Sequence, residues 1–454
     1  MENMRIEEVI SAVHGCAENY DPGLWIDTVS TNSKIARGSA LFVALRGERF
    51  DGHAFIDDFY RNGGRAAITE LACGHRNSIL VEDTRRALGN LARHYRDKFS
   101  MPLVGITGSV GKTSTREMIE GVLSAAGRTC GTAGNRNNEI GVPMTLFGLA
   151  RSHRYAVVEL GMNHAGEIRY LSGIAKPTVA VITNIGTAHI GNLGSREAIL
   201  DAKLEILEGL PPDGVIILNG DDALLFGARD RISHRTVFYG IDNGRCDYQA
   251  RDVSLASNAS SFALGSDGQI QIPAPGRHHV YNALAAVAVG NALGIPFANI
   301  QEGIARFEGG DMRQNIVELG GVTLIEDCYN ANADSMRAAL QVLASLEAGG
   351  RKIAVLGDMY ELGDFTQAEH RRVGMYAAAS RVDLLITVGA LAETIAQEAL
   401  SRGIEAISFS GNPAALRHLE TILAPGDAIL FKASRGAKFE EISQGVQAFL
   451  KDNL

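Results

Sequence analysis

Cysteine is scarce in this sequence, long apolar runs are missing, and positive charge does not dominate. The five cysteines, at 16, 73, 130, 246 and 328, stand singly with no CxxC pair, which argues against a disulfide framework and a zinc site and fits a reducing cytoplasm. The longest apolar stretch, "ALAAVAVGNALGI" from Ala283, is too short to cross a bilayer, and "MENMRIEEVI" carries glutamates where a secretory signal needs an apolar run. Neither membrane insertion nor export is expected. A formal net charge of −9 gives nucleic-acid phosphate no general reason to bind. Small-molecule substrates are expected instead.

What is present is the material of several globular domains. At 454 residues, 46% hydrophobic and 21% charged, the chain can bury two to four cores. Apolar runs bounded by Gly, Asn or Asp alternate with helix-period segments, the pattern of an α/β protein with helix-covered parallel sheets. "LVGIT" from Leu103, "AVVEL" from Ala156, "VAVITNI" from Val179 and "GVIILN" from Gly214 read as strands of one sheet. "VTLIEDCYN" from Val322, "KIAVLGDM" from Lys352, "LLITVG" from Leu384 and "AILFKAS" from Ala428 read as a second. "RFEGGDMRQ" from Arg306 reads as a linker, and a first boundary is placed near "KFSMP". Three units follow: a small mixed α/β unit over 1–99, a central sheet domain over 100–310 and a Rossmann-like α/β domain over 311–454.

"GITGSVGKTSTREMI" from Gly105 is a glycine-rich loop ending in Lys-Thr and running into a helix. Ile106 stands where the common GxxxxGK[ST] spacing wants its first glycine, so the loop is shifted. Gly108 and Gly111 still let Ser109 and its neighbours turn their N–H groups inward, Lys112 can reach terminal phosphates, and Thr113, followed by Ser114, can ligate magnesium. The loop reads as a site for ATP with magnesium.

Ligands of parallel sheets gather at the carboxyl ends of strands. There "VVELGMNHAGEI" offers Glu159, and "VITNIGTAHIGNLGS" offers Asn184 and His189. A carboxylate suits magnesium and a neutral imidazole could hold a second ion, although a helix-capping acid and a surface loop histidine are the plainer readings. Lys203 sits among Ile199, Leu200, Ile206 and Leu207 at helical spacing. Such a lysine either snorkels to water or, with its charged form destabilised, reacts as a neutral amine with carbon dioxide to give an anionic carbamate.

Taken in order, these segments resemble the Mur ligases of peptidoglycan synthesis, and within them the MurF branch. "TGSVGKT", "GNRNNEIGVP" from Gly134, "ELGMNHAGEI", "NIGTAHIGNLGS", "AKLEIL", "EDCYNANADSM" and "LGDMYELG" all follow the family's sequence of motifs. The resemblance implies ATP-dependent ligation of D-Ala-D-Ala to a UDP-N-acetylmuramoyl tripeptide by a cytoplasmic monomer. It implies two magnesium ions on Thr113, Glu159, His189 and a carbamylated Lys203, with Lys112, Lys203, His189 and Arg313 as the catalytic set. Gly108, Ser109, Gly111, Lys112, Thr113, Ser114, Asn282, Arg313 and Asp327 would hold ATP, Asn282 reading adenine and Asp327 the ribose. "LFVALRGERFDGHAFI" from Leu41 is similar to the UDP-sugar segment, bringing in Arg46, Gly47, Asp51 and His53. "TNSK" stands where Asp-Ser-Arg is usual, leaving Ser33 and Lys34 for the diphosphate. Asn135, Asn137 and Asn138 lie in the branch-specific stretch, and Tyr329, Asn330, Asn332 and Ser335 near the incoming dipeptide. Lys432, Ser434 and Arg435 belong to a segment at the domain cleft. His279 replaces an Asn of the family pattern, and Ala333 a Pro. A related ligase with another acid and amine, a phosphotransferase, or a silent nucleotide-binding regulator are the alternatives.

Overall fold

The computed structural model describes residues 1–47, 50–265, 268–310 and 312–453. Glu48 and Arg49 of the proposed UDP-sugar segment, Asp311 of the linker, and Leu454 lie outside the described residues.

The N-terminal part holds a four-stranded parallel sheet in the order Thr28–Ser30, Gly38–Val43, Gly64–Thr69, Ser78–Leu80. The helix Thr84–Arg96 leaves this unit and packs its buried Leu88, Leu91, Ala92 and Tyr95 in one apolar cluster with Leu146, Phe147, Leu171 and Ile174 of the central part. Its start is fixed by Asp83, whose carboxylate accepts from the Arg85 and Arg86 N–H groups.

The central sheet has seven parallel strands, with Leu103–Thr107 between Val179–Ile182 and Tyr155–Glu159. All three are buried along their whole length, as expected of strands covered on both faces. Their alternation divides the core. Val104, Ile106, Val157 and Val181 face the helices Lys112–Ala126, Arg277–Ala292 and Phe297–Ala305, while Leu103, Ala156, Val158 and Ile182 face the other side. The chain runs outward in one direction from Leu103–Thr107 and then returns to its other side, so a crevice opens at the carboxyl ends of this strand and Val179–Ile182. A three-stranded antiparallel sheet, Arg251–Leu255, Ser260–Leu264 and Gly268–Ile272, adjoins this part and was not among the expected strands. "GQIQI" carries only a five-residue stretch of period-2 alternation, with Ile270 and Ile272 on the buried face.

The third sheet has six strands, parallel except for the edge pair Asn315–Leu319 and Val322–Glu326. Ala428–Lys432 inserts between Val322–Glu326 and Lys352–Gly357, setting Asp327 beside Lys432. Among the described residues no helix is long and apolar enough to cross a membrane.

Candidate active site

The phosphate loop is held by the neighbouring strand end more than by itself. Ser109 N–H donates to the Asn184 carbonyl at 3.1 Å, Val110 N–H to Asn184 Oδ1 at 3.0 Å, and the Thr183 hydroxyl to the Val110 carbonyl at 2.6 Å. Gly186 N–H closes the set on Ser109 Oγ at 2.9 Å. This contact leaves no room for a side chain at 108: a Cβ there would lie 1.8 Å from Thr183 Oγ1, and Gly108 has φ +152°. Lys112, first residue of the following helix, folds its ammonium back onto the Gly108 carbonyl at 2.8 Å. Desolvation in the cleft lowers its pKa, Glu159 opposes that shift, and the Arg313 charge adds to it.

Thr113 Oγ1 donates to Glu159 Oε2 at 2.9 Å, and Asn137 Nδ2 to Glu159 Oε1 at 2.8 Å. A hydroxyl and a carboxylate in contact beside a phosphate loop are the hard oxygen donors that magnesium takes. Among the described residues no three His, Cys, Asp or Glu side chains gather as a metal cluster. A magnesium ion here would therefore complete its shell with phosphate oxygens and water, as this ion does readily. His189 begins the short helix Ile190–Leu193 at φ +62°, and its Nδ1 lies 2.8 Å from Glu361 Oε2 without hydrogen-bond geometry. Burial lowers its pKa, aided by Lys112 and opposed by Glu361.

Lys203 is 1% exposed, and among the described residues its amine has no hydrogen-bond or ion-pair partner. The snorkelling alternative does not hold, because the side chain stays inside the core. Burial, with Lys112 near enough to add repulsion, pulls its pKa well below the usual lysine value. A neutral amine in this place has the chemistry a carbamate requires.

Asn282, 5% exposed, accepts from the Thr115 hydroxyl at 3.0 Å. Arg313 lies with its guanidinium 3.9 Å from the Tyr329 ring centroid, and Lys432 Nζ donates to Asp327 Oδ2 at 2.6 Å and to the Asn330 carbonyl at 3.0 Å. Asn332 and Ser335 form a reciprocal cap on the helix Ala333–Ser345. Their side chains thus build a helix N-terminus rather than stand free, and that terminus faces the cleft.

One cavity of about 470 Å³ gathers Ser109, Gly111, Lys112, Thr113, Ser114, Glu159 and His189 with Asn282, Arg313 and Asp327. Asn135, Asn137 and Asn138, and Tyr329, Asn330, Asn332, Ser335 and Lys432, line the same space. Gly108, Lys203, Ser434 and Arg435 are not among its lining residues. Ser434 Oγ instead accepts from Tyr360 N–H at 3.0 Å, and Arg435 pairs with Glu440 at 3.1 Å.

The N-terminal residues form a separate group. Asp51 Oδ1 accepts from His53 N–H at 2.9 Å and contacts His53 Nδ1 at 2.6 Å, while Glu70 N–H donates to His53 Nε2 at 2.9 Å. With both ring nitrogens engaged, His53 shapes the loop. Arg46 pairs with Glu70 at 3.2 Å, Gly47 N–H closes on the Phe50 carbonyl at 2.8 Å, and Ser33 and Lys34 lie on an accessible turn. Arg85 ties this loop to the cavity wall by donating to the Arg46 carbonyl and pairing with Glu139.

Several residues here carry no clear signal in the sequence. Thr187 Oγ1 donates to Glu369 Oε2 at 2.8 Å and its N–H to Asp334 Oδ2 at 3.2 Å, and Arg372 pairs with both acids. This latch joins the central and C-terminal parts next to the phosphate loop. Its partners are separated by 147 and 182 residues, and no local pattern marks them. Thr115 had a usable signal: it lies one helical turn from Gly111, already singled out.

Two family models match the chain: Mur ligase middle domain over residues 106–290, and Mur ligase, glutamate ligase domain over 312–435. A UDP-N-acetylmuramoyl-tripeptide–D-alanyl-D-alanine ligase of Bacillus subtilis (strain 168) is 40% identical over 425 residues, covering 92% of each chain. A MurF crystal structure from Acinetobacter baumannii superposes with a TM-score of 0.92 at 35% identity over 99% of both chains. The MurF ligase of Thermotoga maritima in complex with ADP superposes with a TM-score of 0.84 at 29% identity, over 94% of this chain and 98% of its own. With the phosphate loop, Glu159 and the C-terminal wall around one cavity, and these likenesses spanning nearly the full length, the chain belongs to the Mur ligase family, in its MurF branch.

Proposed function

We propose that this chain joins D-alanyl-D-alanine to the peptide of UDP-N-acetylmuramoyl tripeptide, using ATP, in the cytoplasm where nucleotide sugars are made, and acts as a monomer. The observation that carries the reading is the single cavity walled by the phosphate loop, the 135–138 stretch and the 327–335 segment. These walls suit a nucleotide, an acid and an amine held together. Residues 1–99 would hold the uridine end through Ser33, Lys34 and the Arg46–His53 loop, residues 100–310 ATP, and residues 311–454 the dipeptide and part of ATP.

In the proposed reaction a terminal carboxylate oxygen of the tripeptide attacks the γ-phosphorus, and the bond to the bridging oxygen breaks to release ADP. The dipeptide amine then attacks the acyl-phosphate carbon, and the tetrahedral intermediate expels phosphate as the amine proton is lost. Lys112 and the first N–H groups of the helix Lys112–Ala126 meet the charge on the transferring phosphoryl group. Magnesium held by Thr113 and Glu159, with His189 and carbamylated Lys203 toward a second ion, would supply further charge neutralisation. Asn282 would read adenine, and Asp327, beside Lys432, the ribose. Arg313, on the segment between the central and C-terminal sheets, would reach the phosphates as the domains close.

The test is phosphate release from ATP with UDP-muramoyl tripeptide, with and without D-Ala-D-Ala, following the sugar nucleotide by mass. Release that requires the dipeptide, with a mass gain matching its condensation, supports the reading; no release in a protein that binds ATP overturns it. Arg313→Ala is expected to lower kcat/KM for ATP by about 10²-fold, the scale of one lost charge-stabilising donor, and to leave UDP-sugar affinity unchanged. An unchanged rate would remove Arg313 from the closure step.

A further inference from the structure

The strand end that holds the phosphate loop also grips the C-terminal part. Gly186 N–H donates to Ser109 Oγ, inside the loop, at 2.9 Å. The next N–H, that of Thr187, donates to Asp334 Oδ2 at 3.2 Å, and the Thr187 hydroxyl donates to Glu369 Oε2 at 2.8 Å. Consecutive residues of one turn therefore hold groups from both domains. Little space separates those groups. A Cβ at Gly186 would lie 2.3 Å from Asp334 Oδ2 and 3.2 Å from Ser109 Cβ, so a side chain there would push the acid away from the loop. Further along the same segment backbone meets backbone, since a Cβ at Gly191 would lie 2.6 Å from Gly363 N.

On the C-terminal side Asp334 is the second residue of the helix Ala333–Ser345, whose capping residues Asn332 and Ser335 line the cavity. Glu369 lies on the helix Thr366–Ala379, and Arg372, one turn on, reaches Asp334 at 3.3 Å and Glu369 at 3.4 Å. One guanidinium thus serves two carboxylates, and the Thr187 hydroxyl makes the shorter contact to Glu369 Oε2. Thr187 is 4% and Glu369 8% exposed, so water offers that oxygen little replacement once the hydroxyl is removed.

An amine that attacks an acyl phosphate must come within about 3–3.5 Å of the carbonyl carbon. In the proposed reaction the phosphate loop holds one reactant and the 329–335 segment the other, and these walls belong to different domains. An amine site shared in this way exists only while the domains stand in register, so its apparent affinity is the intrinsic affinity multiplied by the fraction of molecules in register. The hydrogen bonds from Gly186 to Ser109 and from Thr187 to Asp334, joined by one peptide link, span the gap between the loop and the helix Ala333–Ser345.

We propose that Thr187 is a positioning residue for the incoming amine, registering the helix Ala333–Ser345 against the phosphate loop through Asp334 and Glu369 and so setting the apparent affinity for the dipeptide. The inference rests on the proposed ligation, with the 327–335 segment as the dipeptide's wall.

The test measures KM and kcat for D-Ala-D-Ala in the full-length enzyme, with ATP and UDP-muramoyl tripeptide saturating. Thr187→Val keeps the branched shape and the N–H but removes the hydroxyl. It is expected to raise the dipeptide KM about 10-fold, the scale of one hydrogen bond to a charged group. Its kcat should stay within about twofold, because saturating dipeptide draws the domains back into register. Thr187→Ser retains the hydroxyl and is expected to restore a KM within about twofold of the unmodified enzyme. In a Glu369→Ala background, Thr187→Val should add almost nothing, since its acceptor is already gone. An unchanged dipeptide KM in Thr187→Val, a loss confined to kcat, or a full additional effect in the Glu369→Ala background overturns the positioning role, while ligation by the unmodified enzyme in the same assay leaves the proposed reaction standing. If the unmodified enzyme does not condense the dipeptide, the proposed reaction fails and this inference with it.

Discussion

Replacing Lys203 with alanine is expected to lower ligation by about 10³-fold, the upper scale of one preorganised electrostatic group, and added formate or acetate to restore part of the rate. The reason lies in where the amine is. Lys203 is 1% exposed, carries no partner among the described residues, and has its charged form disfavoured by burial and by Lys112. As an ammonium it would repel Lys112 and the magnesium ions that balance the ATP phosphates; as a carbamate it becomes an oxygen donor. A small carboxylate diffusing into the space left by alanine would supply the same donor. Full activity of the alanine variant without added acid would exclude the carbamate.

The same site predicts a stability effect opposite in sign. Lys203→Met is expected to inactivate the enzyme and raise its melting midpoint, because an unpaired buried amine is replaced by an apolar chain of similar length. The pH dependence follows from linkage. The buried amine gives up its proton well below the usual lysine value, whereas the unfolded chain keeps it to about pH 10.4, so unfolding takes up a proton and native stability rises with pH across that interval. The advantage of methionine should be largest at low pH and fade toward about pH 10. Melting curves in bicarbonate-free buffer without nucleotide would show it, and a midpoint difference flat across that range would refute it.

Gly108→Ala is expected to reduce ATP turnover at least about 10²-fold, the cost of an ångström-scale misplacement of reacting groups. The added methyl would sit 1.8 Å from Thr183 Oγ1 and 3.1 Å from Thr183 N, on a backbone at φ +152°. Relief requires Thr183 to leave the Val110 carbonyl, and the loop then loses a bond that holds it, and with it Lys112, against the neighbouring strand end. Gly173→Ala is the control. It lies in the helix Glu167–Ala175 with nothing within 4 Å of the new methyl, so it should retain activity and gain roughly 0.5–1 kcal/mol of helix stability. Nucleotide binding by calorimetry separates a displaced loop from a lost fold. Unchanged affinity and turnover in Gly108→Ala would show that the loop tolerates what its geometry forbids.

Much of this site was legible in the chain because it is local. The strand Leu103–Thr107, the loop and the helix Lys112–Ala126 follow one another, and an apolar run, glycines at the turn and helical spacing encode each directly. Glu159 was legible as a strand-end residue for the same reason, whereas Asp327 entered through the family resemblance. The antiparallel sheet over 251–272 was not among the strands read, since its strands are only five residues long and few of their positions are apolar. His53 and Asp51 show another limit: their residue types suit a ligand, yet their partners are each other and Glu70.

By itself the sequence determined the α/β class, the order of the motifs and the phosphate loop, since these depend on periodicity and neighbours along the chain. The tertiary structure decided whether Lys203 reaches water, which acids meet Thr187, and which groups meet Asn282. Each of those depends on groups brought together from distant segments, and burial and hydrogen-bond direction are properties of that meeting rather than of any residue alone.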